Sequence, residues 1–387
     1  MSAMNISRLE SALVANSGSE ILSAVFALLS DKPVAFDFYF RAAELLFLAE
    51  QNALAVCLCK KAILQEPLSE RSSNLVNVFT GKIPAIDLNE LISFSEATRA
   101  NFGKIFNLID QAGDFVFLDL GSSAIDHFAV PAWVKDRIYT ISLDGLDIPE
   151  GSGFGKRASI KKIVAGGEFD TVFNEKYHLA GSSLLQDDQF VVRSFGMEKF
   201  AEVKNKHNVK TVTLAEVLKE LEIKRIDALK TDLEGIDFDV IKSIEPMLYD
   251  ISFLRAELAF FPRYIGEPRF SECDRYLSQK NYMLMGMTPE TWRFKTEHRD
   301  YCPDGRLVWG DFEYINDKNV VNYDLACVAR HALVASFSGY SNYAEFLIES
   351  QISVIDSDLS KSLKFVLFSE SVLLNPKYIN ATYPHLA

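Results

Sequence analysis

Acidic side chains close most of the apolar runs in the middle of this 387-residue chain, and they are the residues with the clearest chemical use. Asp119 ends FVFLD, Asp144 ends RIYTISLD, Asp232 and Glu234 follow the run at Leu229, and Glu257 ends ISFLRAE. If those runs are parallel strands, the five carboxylates line one rim beyond the carboxyl ends, where open α/β sheets bind ligands. A single carboxylate there is an ordinary helix cap, whereas a row of them can bind ligand hydroxyls and accept protons. Gly121, in LDLGSSAID, permits close backbone approach to a nucleotide. Asp144 stands 23 positions later, about the spacing at which an acid accepts bonds from an adenosine ribose. With Ile125 where a later glycine would stand, the turn fits an adenosine ligand without a pyrophosphate. GSGFGKR, Gly151 to Arg157, is out of register for a P-loop and has Arg157 where a magnesium-binding hydroxyl belongs, so it reads as a loop.

The elements needed to position these residues are legible. FVFLDL, RIYTISLD, ASIKKIVA, RIDALKTD, ISFLRAEL, YMLMGMT and RLVWGDFEYI read as strands, with helical patterns such as TLAEVLKELE and FDVIKSIEPML between several of them. The alternation predicts an α/β fold, a doubly wound and mostly parallel sheet whose last two strands make an antiparallel edge pair. The texture changes sharply at Asp114. Before it lies a helical region, assigned to residues 1–95, in which Tyr39, Ala43, Ala55, Ala62 and Pro67 fall at the offsets of one tetratricopeptide repeat. The sheet domain is assigned to 96–318 and a C-terminal helical extension to 319–387. The helical regions are candidates for a protein partner or self-association.

The segment Val209 to Ile241, VKTVTLAEVLKELEIKRIDALKTDLEGIDFDVI, resembles the FkbM family of S-adenosylmethionine-dependent methyltransferases. Thr213 and Leu214 stand at that family's helix start, and Lys230, Asp232, Glu234 and Gly235 at its Lys-x-Asp-x-Glu-Gly turn. The resemblance extends back through GSSLL (Gly181 to Leu185) to FLDLG and forward to Glu257 and WGDFEYI. It implies a class I methyltransferase, Rossmann-like fold, an S-adenosylmethionine cofactor, and O-methylation of a hydroxyl on a sugar, polysaccharide or related metabolite. On that basis Asp119 and Gly121 are assigned to the methionine end of the cofactor, Asp144 to the ribose, Ser122 to cofactor binding, and Asp232 to both cofactor and acceptor. Asp232 or Glu234 would orient or deprotonate the acceptor hydroxyl, while Lys230 would stabilise an alkoxide or pair with a carboxylate. Phe128 or Trp133 could face the sulfonium, and His178 could reach the site as a base. The first turn departs from the family pattern, with Ser122, Ser123 and Ile125 replacing Ala, Asn and the second Gly.

Composition sets the remaining bounds. With 40 Lys plus Arg against 53 Asp plus Glu, the net charge of -13 disfavours nucleic acid and anionic membrane as main partners. Cys57, Cys59, Cys273, Cys302 and Cys327 have no zinc spacing and read as reduced, packed thiols. The six histidines are dispersed, and carboxylates on an extended turn such as Asp232 and Glu234 need not converge, so no metal is assigned. No run reaches the ~18 apolar residues of a membrane span and no signal peptide is legible, which points to a cytoplasmic chain. Two other functions compete. One is a nicotinamide-dependent sugar-modifying enzyme, disfavoured by the absent GxGxxG turn. The other is a non-catalytic interaction protein with a degenerate cofactor pocket, suggested by the altered first turn.

Overall fold

The computed structural model describes residues 2–30, 36–82, 84–121, 130–145, 156–297, 305–317, 325–350, 355 and 357–373. The chain divides into a helical unit (1–113, 130–135 and 321–387) and a sheet unit (114–129 and 136–320).

The helical unit contains α1 (Ser2–Ala15), α2 (Gly18–Ser30), α3 (Phe36–Leu48), α4 (Asn52–Gln65), α5 (Glu70–Phe79) and α6 (Ala85–Ala112). The boundary drawn at residue 95 falls inside α6, because its helical pattern continues unbroken to the strand-like texture after Asp114. Helices α3 and α4 pack together across a short loop, with Tyr39, Ala43, Ala55 and Ala62 fully buried. Small side chains are what allow such close helix approach. Every residue from Ala53 to Gln65 in α4 is buried, and burial pushes the Cys57 thiol up to about 11, as fits a packed, unreactive cysteine.

Trp133 belongs to this core. It is 8% exposed, with its ring edge-on to Phe102, Phe106 and a later aromatic, Phe337, at centroid distances of 5.0, 5.7 and 5.8 Å. The expectation that Trp133 faces a sulfonium is therefore corrected: its indole fills a helical core, where a large apolar ring is stabilised by area and edge-to-face contact. Phe128, the other aromatic proposed for that role, lies outside the described residues.

The sheet unit is built from β1 (Phe115–Leu120), β2 (Ile138–Asp144), β3 (Lys156–Lys161), β4 (Val164–Ala165), β5 (Asp170–Lys176), α7 (Gln189–Phe195), β6 (Val203–Lys210), β7 (Val212–Thr213), α8 (Leu214–Glu220), β8 (Ala228–Thr231), α9 (Asp237–Ser243), α10 (Glu245–Leu248), β9 (Phe253–Ala259), α11 (Phe270–Gln279), β10 (Tyr282–Trp292) and β11 (Arg306–Asn316). The seven-stranded sheet has the order β10-β11-β9-β8-β1-β2-β3. Pairing is parallel from β3 through β9, while β11 runs antiparallel to both β9 and β10. This is the mostly parallel, Rossmann-like sheet with an antiparallel edge pair that the strand pattern predicts. Its central strands are nearly continuous apolar runs, as burial on both faces requires, and Leu118, Leu120, Ile141, Leu229 and Leu254 share one core. Thr213 and Glu216 form a reciprocal capping box at the start of α8, which gives the Thr-Leu helix start a physical reason.

Two small sheets stand apart from the seven strands, β4 with β7 in parallel and β5 with β6 as an antiparallel ribbon. The helical unit also contains α12 (Leu325–Phe337), α13 (Ser341–Ser350) and α14 (Ser357–Leu373). Helices α12 and α14 pack on α6, where Ser362 donates to Asn101 Oδ1 over 2.8 Å and Phe94 meets Phe365 at 6.0 Å. No helix among the described residues is long and apolar enough to cross a membrane.

Candidate active site

The parallel register carries the chemistry to one end of the sheet. Asp119 pairs in register with Lys230 across β1 and β8, and Lys230 with Arg255 across β8 and β9. Beyond these rungs Gly121 follows β1, Asp144 closes β2 and Asp232 follows β8, while Glu257 lies within β9, two residues before its end. Gly121, directly after β1, donates from its amide to Leu143 O over 2.9 Å and has φ +72°. A Cβ there would lie 1.7 Å from the Asp232 carbonyl oxygen, so the position admits only glycine without rearrangement.

Lys230 is 1% exposed and reaches three oxygens: Gly121 O at 3.1 Å, Asp232 Oδ2 at 3.1 Å and Asp119 Oδ1 at 3.4 Å. Burial alone would lower its pKa, but the charges of Asp232 and Asp119 outweigh that and raise it. Of the two roles considered for Lys230, pairing with carboxylates is the one these contacts display.

A cavity of about 350 Å³ opens over this end. Gly121, Asp144, Asp232 and Glu234 line it, together with apolar Leu143, Ile163, Phe173 and Leu179 and the hydroxyl-bearing Ser182 and Ser183. The structure thus brings four of the sequence-assigned positions to one space, with Asp119 and Lys230 buried beneath the first turn. Ser122 lies outside the described residues, as do Ser123, Ile125 and Gly151 to Gly155 of the glycine-rich loop. His178 does not line the cavity; its ring lies on Phe200 at 4.1 Å.

Glu234 sits at φ +52°, in the left-handed region, followed by Gly235 at +101°. Its carboxylate accepts the Tyr264 hydroxyl at 2.5 Å and lies 3.8 Å from Arg263 Nη1. Burial raises its pKa well above the ordinary range, against the opposing effects of Tyr264 and Arg263. Glu257 is raised as well, first by burial and then by the charges of Asp232 and Glu234. Carboxylate oxygens of Asp232, Glu234 and Glu257 lie within 4.8 Å of one another. The expectation that the turn's carboxylates need not converge is therefore corrected, because the left-handed residue at 234 folds the turn back and β9 delivers Glu257 beside it. No Lys, Arg or His among the described residues pairs with Glu257, whose charged neighbours are acids.

Sequence reasoning missed the residues that surround Glu234. Ser183, inside the quoted GSSLL, donates to Glu234 O over 2.7 Å, while Tyr264, Arg263, Asp187 and Lys176 come from segments with no motif. The only signal for them in sequence is a set of charges flanked by apolar residues.

No curated protein and no solved structure matches the chain. The family comparison does: the matched stretch runs from β4 into β10, and so contains the Lys230 to Gly235 turn and Glu257 but not Asp119, Gly121 or Asp144. Residues 164–284 match the Methyltransferase FkbM domain, so the similarity to that family lies in the central region of this chain.

Proposed function

We propose that the chain is an S-adenosylmethionine-dependent O-methyltransferase acting on a hydroxyl of a sugar, a polysaccharide or a related small metabolite. The observation that carries this reading is the single cavity shared by Gly121, Asp144, Asp232 and Glu234 at the carboxyl ends of β1, β2 and β8. The lining supports this cofactor. Asp144 would accept bonds from a ribose, Leu143, Ile163 and Phe173 offer apolar walls to a flat base, and Asp232, with Asp119 buried behind it, suits a positive sulfur.

Bound there, S-adenosylmethionine supplies an electrophilic methyl group. The chain's own tasks are alignment and proton removal. Lys230 ties the two strand ends together and sets its charge between Asp119 and Asp232. Glu234 takes the proton of the acceptor hydroxyl, for which a carboxylate of raised pKa is the better base. With the methyl group passed to the acceptor oxygen, Glu234 would release the proton to water.

Transfer of labelled methyl groups from S-adenosylmethionine to a panel of sugars tests the assignment, with Asp232→Asn and Glu234→Gln alongside the wild type. Transfer by the wild type and a loss of at least about a hundredfold in Glu234→Gln is expected. Undiminished transfer by both variants would remove the turn from the mechanism.

A further inference from the structure

Two buried cations and a buried phenol stand behind Glu234, in residues to which the mechanism above gives no part. Arg263 is 7% exposed and Lys176 fully buried, and the two share one carboxylate. Asp187 accepts from Arg263 Nε through Oδ1 at 2.7 Å and meets Lys176 Nζ through Oδ2, also at 2.7 Å. The Arg263 guanidinium lies between the rings of Phe200 and Tyr264, at 4.7 and 4.8 Å. Glu267 accepts the backbone amides of both Arg263 and Tyr264, at 2.6 and 3.0 Å, so the loop that presents them is itself pinned. Segment 186–188 pairs with it, Asp188 N donating to Arg263 O and Ile265 N to Gln186 O, each at 2.9 Å.

All of this converges on a residue whose backbone conformation is unfavourable. A non-glycine residue at φ +52° persists only where its surroundings hold it. Glu234 is held at three points, by Ser183 on its carbonyl and by Tyr264 and Arg263 on its carboxylate. Gly235 completes the fit, since a Cβ there would lie 2.9 Å from the Tyr264 ring.

We propose that Tyr264 and Arg263, fixed by Asp187 and Lys176, are positioning residues that aim the Glu234 carboxylate at the acceptor hydroxyl. The proposal rests on the methyl-transfer reading above. A misdirected base costs rate and not cofactor affinity, which separates aim from folding. The groups facing Glu234 are Asp232 on its own turn, Glu257 from β9, Tyr264 and Arg263 from the following loop, and Lys176 from β5. Among these, the Tyr264 hydroxyl donates to the charged carboxylate, so its removal raises the pH at which Glu234 becomes a base.

The test uses Tyr264→Phe, which keeps the ring and its packing, and Asp187→Asn in the full-length chain. It reads methyl transfer to an accepted sugar across pH, with calorimetry against S-adenosylhomocysteine. In Tyr264→Phe, kcat is expected to fall about tenfold or more, with KM for the sugar and the S-adenosylhomocysteine Kd each within about threefold of wild type. The acidic limb of its pH profile is expected to move to higher pH, and Asp187→Asn to lower kcat in the same sense. Wild-type kcat and an unmoved limb in Tyr264→Phe would overturn the positioning role while leaving the methyltransferase reading intact. A wild-type chain that binds no S-adenosylhomocysteine, or transfers methyl to no hydroxyl acceptor, would overturn both.

Discussion

Lys230 donates from its buried ammonium to the Gly121 carbonyl oxygen over 3.1 Å, joining the end of β8 to the first turn of the sheet. The same ammonium stands between Asp119 and Asp232, so Lys230→Met would leave the buried Asp119 and the half-buried Asp232 without their cation. Loss of one partner from such a buried cluster costs about 3–5 kcal/mol, measurable by denaturant unfolding. Affinity for S-adenosylhomocysteine is expected to fall with it, because the turn that lines the cavity loses its anchor.

Gly121→Ala tests the same turn from the other side. The substitution places a methyl group against the Asp232 carbonyl at a φ of +72°. The left-handed backbone alone costs a residue with a Cβ about 1–2 kcal/mol, and the clash adds to that. Cofactor binding is expected to be lost in calorimetry; wild-type affinity would show that the turn opens freely.

Asp237 provides a pH signature of the fold. It is 2% exposed and accepts the Leu233 amide at 3.1 Å, and burial followed by the charge of Asp232 pushes its pKa up to about 7. A carboxyl raised in the folded state contributes stability that is full below its unfolded pKa and is lost as pH rises through the folded value. Wild-type stability is thus expected to decline between about pH 4 and pH 7, by at most about 1.4 kcal/mol per unit from this group. Asp237→Asn should flatten that decline in urea titrations; an identical slope would show that Asp237 is ionised in the folded chain.

Trp133→Ala separates the two units. Removing a ring packed on Phe102, Phe106 and Phe337 is expected to destabilise the helical unit by about 3–5 kcal/mol, read as an earlier unfolding transition. Affinity for S-adenosylhomocysteine should stay at the wild-type level in the folded variant. A selective loss of affinity would restore Trp133 to the cofactor site.

The central parallel strands and the rim acids were legible because strands buried on both faces must be apolar, and a polar residue comes at or near the carboxyl end of each. FVFLDL and RIYTISLD behave this way. The ribbon of β5 and β6 was not legible. Its second strand, VKNKHNVK, is almost wholly exposed and carries no apolar alternation, being held by backbone pairing to β5. Trp133 was misread because an aromatic residue just beyond the first turn has the same sequence signature whether it covers a ligand or enters a helical core. The convergence of Glu257 on Asp232 and Glu234 depends on strand order and on one left-handed residue, neither of which a linear pattern encodes. Tyr264 lies 30 positions from Glu234, and Arg263 76 from Asp187, so their contacts exist only in the fold.

The central claim, that the cavity bounded by Gly121, Asp144 and Glu234 is an S-adenosylmethionine site, is tested most directly by isothermal titration with S-adenosylhomocysteine, using NADH as the control ligand. Micromolar binding of S-adenosylhomocysteine alone is expected, weakened at least about tenfold by Asp144→Asn through the loss of charged hydrogen bonds to the ribose. Binding of NADH instead, or of neither ligand, would contradict it.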